Sequence, residues 1–378
     1  MSTASILPEA LLQLDQTLFQ QVKDLEILES IAPLNYRQQK QDFFASGYRT
    51  TPDFIYRDHQ LDIFSRKRAL LNLPVESLPD DDLVKLYSDV ILSYVDKLDQ
   101  IDSVGTPEFL YNCLRYYGEP TEKDIRNAQF ILHLPGDDLQ EPLLDANTMA
   151  ASLQQFAEAE GYQYEVVLDS GMIANALVSG TRVKINTAAR VSATELQALA
   201  HHELGVHLVT TLNARRQPLQ VLSLGCPLNT LSQEGMAIFC EYRAGCMTLP
   251  RLRVLALRVI AVHSMIKEKD FKRTFALLRE QYQVADDLAF TITARVYRGG
   301  GFTKDYLYLQ GLHQILNAYE QADDFELLLC GKVHVDYVPL LRRLINNQYL
   351  SEPHFISPAI RQPADIDPVQ SFIAHAIK

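Results

Sequence analysis

No apolar run in the 378-residue chain is long enough to span a membrane. The first 30 residues mix acidic positions with a helical apolar period. They lack the basic n-region and apolar h-region of a secretory signal, so a cytoplasmic protein is expected. Cysteine is sparse: five residues, an odd number, at irregular spacings and with no Cys-x-x-Cys pair, which fits reduced thiols better than a disulfide set. Positive charge is short as well. Lys and Arg total 35 against 47 Asp and Glu, a net charge of −12 that argues against nucleic acid as a general partner. Phosphate loops are missing, since Gly299-Gly300-Gly301 carries no G-x-G-x-x-G pattern with a strand and an acidic partner. Neither internal repeats nor low-complexity runs occur.

What remains is an ordinary globular composition, 47% hydrophobic and 22% charged, in a chain long enough for a large core. Its periodicities predict an α+β protein, mainly helical. Residues 8–30 and 80–100 read as amphipathic helices, with further helices after Thr106 and Thr121, so 1–146 forms a mainly helical N-terminal region. A helix over 147–160 leads into short strands at 164–168, 174–178 and 182–186, expected as a small antiparallel sheet. Residues 147–348 are expected to be the catalytic domain, and 349–378 a tail packed on the body.

Three of the ten histidines fall in His201-His202-Glu203-Leu204-Gly205-Val206-His207. Two imidazoles and a carboxylate can hold one Zn²⁺ while leaving a position for water, and a carboxylate beside the first imidazole can take that water's proton. His202 and His207 are five residues apart, which on a regular helix puts them about 140° out of line. A π-bulge near Gly205 restores the alignment. His201 points about 100° away from His202 and has no part in the constellation.

Ser192-Ala193-Thr194-Glu195 is a capping box that starts this helix near Ala193, and the helix should end near Asn213. Thr230-Leu231-Ser232-Gln233 reads as a second capping box, placing Glu234 in a first turn as the third ligand. Glu241 competes for that role or partners an imidazole N–H, and Cys240 or Cys246 are further rivals. Residues 251–273 carry a net charge of +5. They read as the solvated face of a helix whose Leu252, Leu255, Val259 and Val262 turn inward, with a basic surface for an acidic tail as the competing reading.

These residues resemble the tubulin-tyrosine carboxypeptidase (microtubule-associated tyrosine carboxypeptidase) family and its bacterial relatives with a Gln-Glu-Gly-Leu-Ala motif. The motif is here Gln233-Glu234-Gly235-Met236-Ala237. Pro52-Asp53-Phe54-Ile55-Tyr56, Gly105-Thr106-Pro107-Glu108-Phe109, Tyr117-Gly118-Glu119-Pro120, Arg295-Val296-Tyr297-Arg298-Gly299 and Phe302-Thr303-Lys304-Asp305 also match. The resemblance implies a zincin-like metallopeptidase core, with His202, His207 and Glu234 as ligands and Glu203 as general base.

The expected reaction is hydrolysis of a C-terminal peptide bond on a peptide or protein tail. Glu203 takes a proton from the attacking water and returns it to the leaving amine, and Tyr308 donates to the oxyanion. Arg298, Lys304 and Lys184 are the candidate cations for the substrate carboxylate, and Asn186 shares a strand face with Lys184. A zinc-binding regulatory protein without turnover and a non-peptide amide or ester hydrolase remain as alternatives.

Overall fold

Leu11, Leu14, Leu18 and Val22 recur at helical spacing, and in the computed structural model they form the buried stripe of α1 (Glu9–Val22). The structure describes residues 7–58, 60–136, 141–321 and 323–378. Helix α2 (Asp81–Asp102) starts where the Asp80 side chain accepts from the Asp82 amide, and it buries Leu83, Leu86, Tyr87, Val90 and Leu98. The short helices α3 (Glu108–Tyr117) and α4 (Glu122–His133) follow, the latter opened by a Thr121/Asp124 capping box. Helix α5 (Ala146–Glu160) ends at Gly161, whose φ of 72° is the left-handed stop.

Three strands come next: β1 (Glu165–Asp169), β2 (Ala176–Ser179) and β3 (Arg182–Asn186). Their order is β1-β3-β2. The β2–β3 hairpin is antiparallel as expected, but β1 runs parallel to β3, so the sheet is mixed. Residues 170–175 carry the chain back across before β2, which makes β3 the central strand. Val183 and Ile185 on its inner face join Met149 and Leu153 of α5, and Leu196, Leu204 and Leu208 of the next helix, in a small core.

That next helix changes register twice. α6 (Ala193–Leu199) is opened by the Ser192/Glu195 capping box, Ala200–Leu208 is π-helical, and α7 (Val209–Arg216) resumes the α form. Helices α8 (Asn229–Arg243), α9 (Leu249–Glu268), α10 (Asp286–Tyr297), α11 (Leu307–Gln321) and α12 (Val338–Asn346) build the remainder. A large core gathers Leu11, Leu18 and Leu83 with Ile238, Phe239, Leu255, Phe290 and Leu341.

The α8–α11 crossing is unusually close. A Cβ on Gly235 would lie 2.3 Å from the Gly311 carbonyl, so the two backbones touch with glycine on both sides. Behind the π segment the chain after Tyr349 forms a strap. Asn213 Nδ2 donates to Leu329 O and Phe355 O, while its Oδ1 accepts from the His354 and Phe355 amides. Among the described residues no helix is long and apolar enough to cross a membrane.

Candidate metal centre

In the π segment hydrogen bonds run from residue i to i+5, so positions five apart share a face. His202 and His207 are therefore brought together, with ring centroids 5.1 Å apart. Gly205 lies in the same segment, and a Cβ there would press on Ser357 Oγ of the strap at 3.1 Å. His201 points elsewhere: its ring meets Phe156 edge-on at 5.1 Å.

Glu234 arrives from α8. The expected Thr230 cap is not used. The helix begins two residues earlier, after Leu228 in the left-handed conformation (φ 59°), and no side chain caps it. Glu234 thus sits in the second turn rather than the first. Ser232, the central hydroxyl of the expected box, bonds instead to Gln314 and to the Val335 amide. Glu234 Oε2 lies 3.8 Å from Nε2 of both His202 and His207, and the three donor atoms fall within 4.8 Å of one another. Donors about 2.05 Å from a tetrahedral zinc would be ~3.3 Å apart, so only a slight contraction separates this group from a zinc site. The donor set, two imidazoles and a carboxylate, suits zinc.

The surroundings orient each donor. Glu241, two turns after Glu234, accepts from His202 Nδ1 at 2.7 Å and so turns Nε2 toward the centre. It is a partner of the imidazole rather than a rival donor, and Cys240 is likewise not a donor, its thiol meeting Ser357 Oγ. Arg251 holds Glu241 with two hydrogen bonds of 3.0 and 2.9 Å. Burial opposes charge on the Glu241 carboxyl, yet Arg251 and His202 outweigh it and bring the pKa down to about 2. The other oxygen of Glu234 accepts from Lys304 Nζ at 2.6 Å, and Lys304 Nζ also donates to the Tyr308 hydroxyl at 3.2 Å.

Glu203 is buried at 7% exposure beside this group, its Oε1 4.0 Å from His202 Nε2. Its Oε2 accepts from the Val178 amide at 3.0 Å. The exposed edge of the sheet next to the centre is therefore that of β2. Lys184 and Asn186 sit on β3, hydrogen-bonded on both sides, so their strand offers no free edge to a substrate. Asn186 is occupied locally: its amide donates to Met172 O and its Oδ1 accepts from the Ala188 amide. No contact links Lys184 to the metal group among the described residues.

Arg298 lies in the Arg298–Gly300 turn that follows α10, 9% exposed, with its guanidinium 4.8 Å from the Phe302 ring. The turn is held by the Gly105 amide on Gly299 O and by the Tyr56 hydroxyl accepting from the Gly299 amide. Two of the stretches that carry the resemblance thus serve to fix Arg298.

Arg258 was missed as a site residue. It lies two turns after Arg251 on α9, and its guanidinium sits 5.3 Å from the Tyr308 ring. The expected solvated face is therefore split. Leu252, Leu255, Val259 and Val262 are buried as anticipated, but Arg251 and Arg258 turn inward toward the centre. The seven-residue interval between two arginines beside an apolar stripe was the available signal. Burial, and then the nearby Arg295, push both the Arg258 and Arg298 guanidiniums down to about 10.

The profile of a family described as microtubule-associated tyrosine carboxypeptidase matches residues 41–378. Microtubule-associated tyrosine carboxypeptidase 1 of Rattus norvegicus is 23% identical over 362 residues, covering 91% of this chain and 68% of that protein. The Mus musculus protein of the same name is 22% identical over the same span, and the Homo sapiens protein is 26% identical over 238 residues, 58% of this chain and 49% of its own length. With its distinctive Gln-Glu-Gly segment carrying Glu234 into the histidine pair, and a family match across nearly its whole length, this chain belongs to the microtubule-associated tyrosine carboxypeptidase family.

Proposed function

We propose that the chain is a zinc-dependent carboxypeptidase that removes a C-terminal residue from a peptide or protein tail. The observation that carries this reading is the convergence of His202 Nε2, His207 Nε2 and Glu234 Oε2 beside the Glu203 carboxylate. These three residues would hold one zinc ion, whose contribution is to activate water and polarise the scissile carbonyl.

Glu203 is the proton carrier. With Oε2 fixed by the Val178 amide, Oε1 is left to accept the water's proton and deliver it to the leaving amine. Tyr308 donates to the developing oxyanion. Lys304 donates to its hydroxyl oxygen and leaves the phenolic proton free to point into the site. Lys304 itself was expected as a carboxylate receptor, but its ammonium is committed to Glu234 and Tyr308, so it acts by holding Glu234 in place. Arg298 keeps the receptor role, because its Nε is buried without a hydrogen-bond acceptor among the described residues. The free edge of β2 offers the substrate backbone a strand to lie along.

Glu203→Gln tests the mechanism. The variant should retain one zinc per chain by elemental analysis and lose cleavage of a peptide panel in mass spectrometry. Full retained cleavage would exclude Glu203 as the proton carrier. Failure of the zinc-loaded wild type to cut any peptide would favour a regulatory zinc protein. Peptides ending in tyrosine, for which the relatives are named, belong in that panel.

A further inference from the structure

Gln233 opens the Gln-Glu-Gly segment, yet its amide hydrogen-bonds neither to the metal donors nor to Glu203. It is 7% exposed, on α8 directly before Glu234. A buried amide costs free energy unless both its ends are paired, so its partners show what it connects. Nε2 donates to Gly331 O at 3.4 Å, and Oε1 accepts from Thr210 Oγ1 at 3.1 Å. Gly331 is a fixed anchor: beside it the Lys332 amide donates to Leu222 O and the Cys226 amide to Lys332 O. Thr210 is fully buried in the first turn of α7, three residues after His207.

The threonine has one proton and two acceptors within reach, His207 O and Gln233 Oε1, each at 3.1 Å. Thr211 Oγ1 already donates to His207 O at 2.9 Å, while Gln233 Oε1 has no other donor among the described residues. The proton of Thr210 therefore goes to Gln233. That bond joins the helix carrying His207 to the helix carrying Glu234, three residues from one donor and one residue from the other.

The two histidines are supported differently. Glu241 aims the ring of His202. Apart from Glu234, the His207 ring has no hydrogen-bond partner among the described residues, so its direction depends on where the main chain holds it. His207 Nε2 lies 3.8 Å from Glu234 Oε2, against the ~3.3 Å of donors on one tetrahedral zinc, and a shift of either helix changes that gap directly.

We propose that Gln233 is a positioning residue of the metal centre. Through Thr210 it sets His207 against Glu234, the counterpart for His207 of the support that Glu241 gives His202. The proposal rests on the zinc reading of the three donors.

A double-mutant cycle of Gln233→Met and Thr210→Val tests it, with zinc affinity read by chelator competition and coordination read from the visible spectrum of the cobalt(II)-loaded protein. Each single variant should weaken zinc about tenfold, the size of effect expected when the support of a metal ligand is lost, and the double variant should lose no more than either. Thr210→Ser keeps the hydroxyl and should return the zinc affinity and the cobalt spectrum to those of the wild type. A packing role alone would lower Tm and leave the cobalt spectrum unchanged. Circular dichroism checks that the variants are folded; if Gln233→Met is not, the contrast between Thr210→Val and Thr210→Ser decides alone. Losses that multiply to about a hundredfold in the double variant, or a Thr210→Val protein with wild-type zinc affinity and cobalt spectrum, overturn the proposal. A wild type that binds neither metal overturns the zinc reading itself, and the proposal with it.

Discussion

Replacing Gly235 by alanine should damage both the fold and the metal centre. The added Cβ would sit 2.3 Å from Gly311 C and O and 2.7 Å from its Cα. Ordinary carbon contacts are about 3.5–4.0 Å, so α8 and α11 would have to separate by more than ~1 Å. The obstructing atoms are backbone, and no rotamer change relieves them. Overpacking a rigid contact costs about 1–3 kcal/mol, with this case at the upper end, which lowers Tm by roughly 4 °C in a chain of this length. Glu234 immediately precedes Gly235 and would move with its helix relative to the histidines and Lys304. Zinc affinity should therefore fall by about tenfold or more, as it does when the supports of a metal ligand are disturbed. Thermal unfolding and zinc titration against a chelator of known affinity read the two effects. Gly311→Ala meets the same crossing, at 2.3 Å from Leu231 O, so the double variant should lose less than the sum of the single ones. A Gly235→Ala protein with wild-type Tm and zinc affinity would refute the close crossing as the device that sets Glu234.

Other substitutions probe the supports. Glu241→Gln should weaken zinc binding about 10- to 100-fold by chelator competition, because His202 Nδ1 loses its carboxylate and Arg251 its counter-charge. Asn213→Ala should cost about 3 kcal/mol or more in denaturant unfolding, since several buried backbone groups of the strap lose their partner together. Asp305→Asn tests a pH dependence. Burial opposes charge on Asp305, but Arg295 and Arg258 hold its carboxyl well below the usual carboxylate range. A depressed carboxylate stabilises above its unfolded pKa, and that stability is lost as pH falls through the folded value. The stability gap between wild type and Asp305→Asn should therefore persist from pH 7 to about pH 4 and narrow below it; a gap independent of pH would count against the ion pair.

Local chemistry was the readable part of this chain. The Ser192/Glu195 box and the five-residue histidine interval depend on neighbours within one helix, and each is present, the interval as a nine-residue π segment rather than a single bulge. Glu234 could be singled out because a helix must return across the first to complete the donor set. What escaped depends on distant packing. Thr230 resembles a cap, yet the left-handed Leu228 starts the helix earlier, and Ser232 is drawn away by Gln314 on α11. The parallel pairing of β1 with β3 follows from a six-residue excursion that a strand pattern cannot orient. The commitment of Lys304 to Glu234, 70 residues away in the chain, and the inward turn of Arg258 are likewise set by tertiary contacts.

The most direct measurement of the central claim is mass spectrometry of one peptide in two forms, with a free and an amidated C-terminus, incubated with the zinc-loaded protein. A zinc carboxypeptidase should shorten the free peptide by its last residue, leave the amidated one intact, and stop when zinc is removed. Cleavage at internal bonds in both forms, or equal trimming with zinc absent, would contradict it.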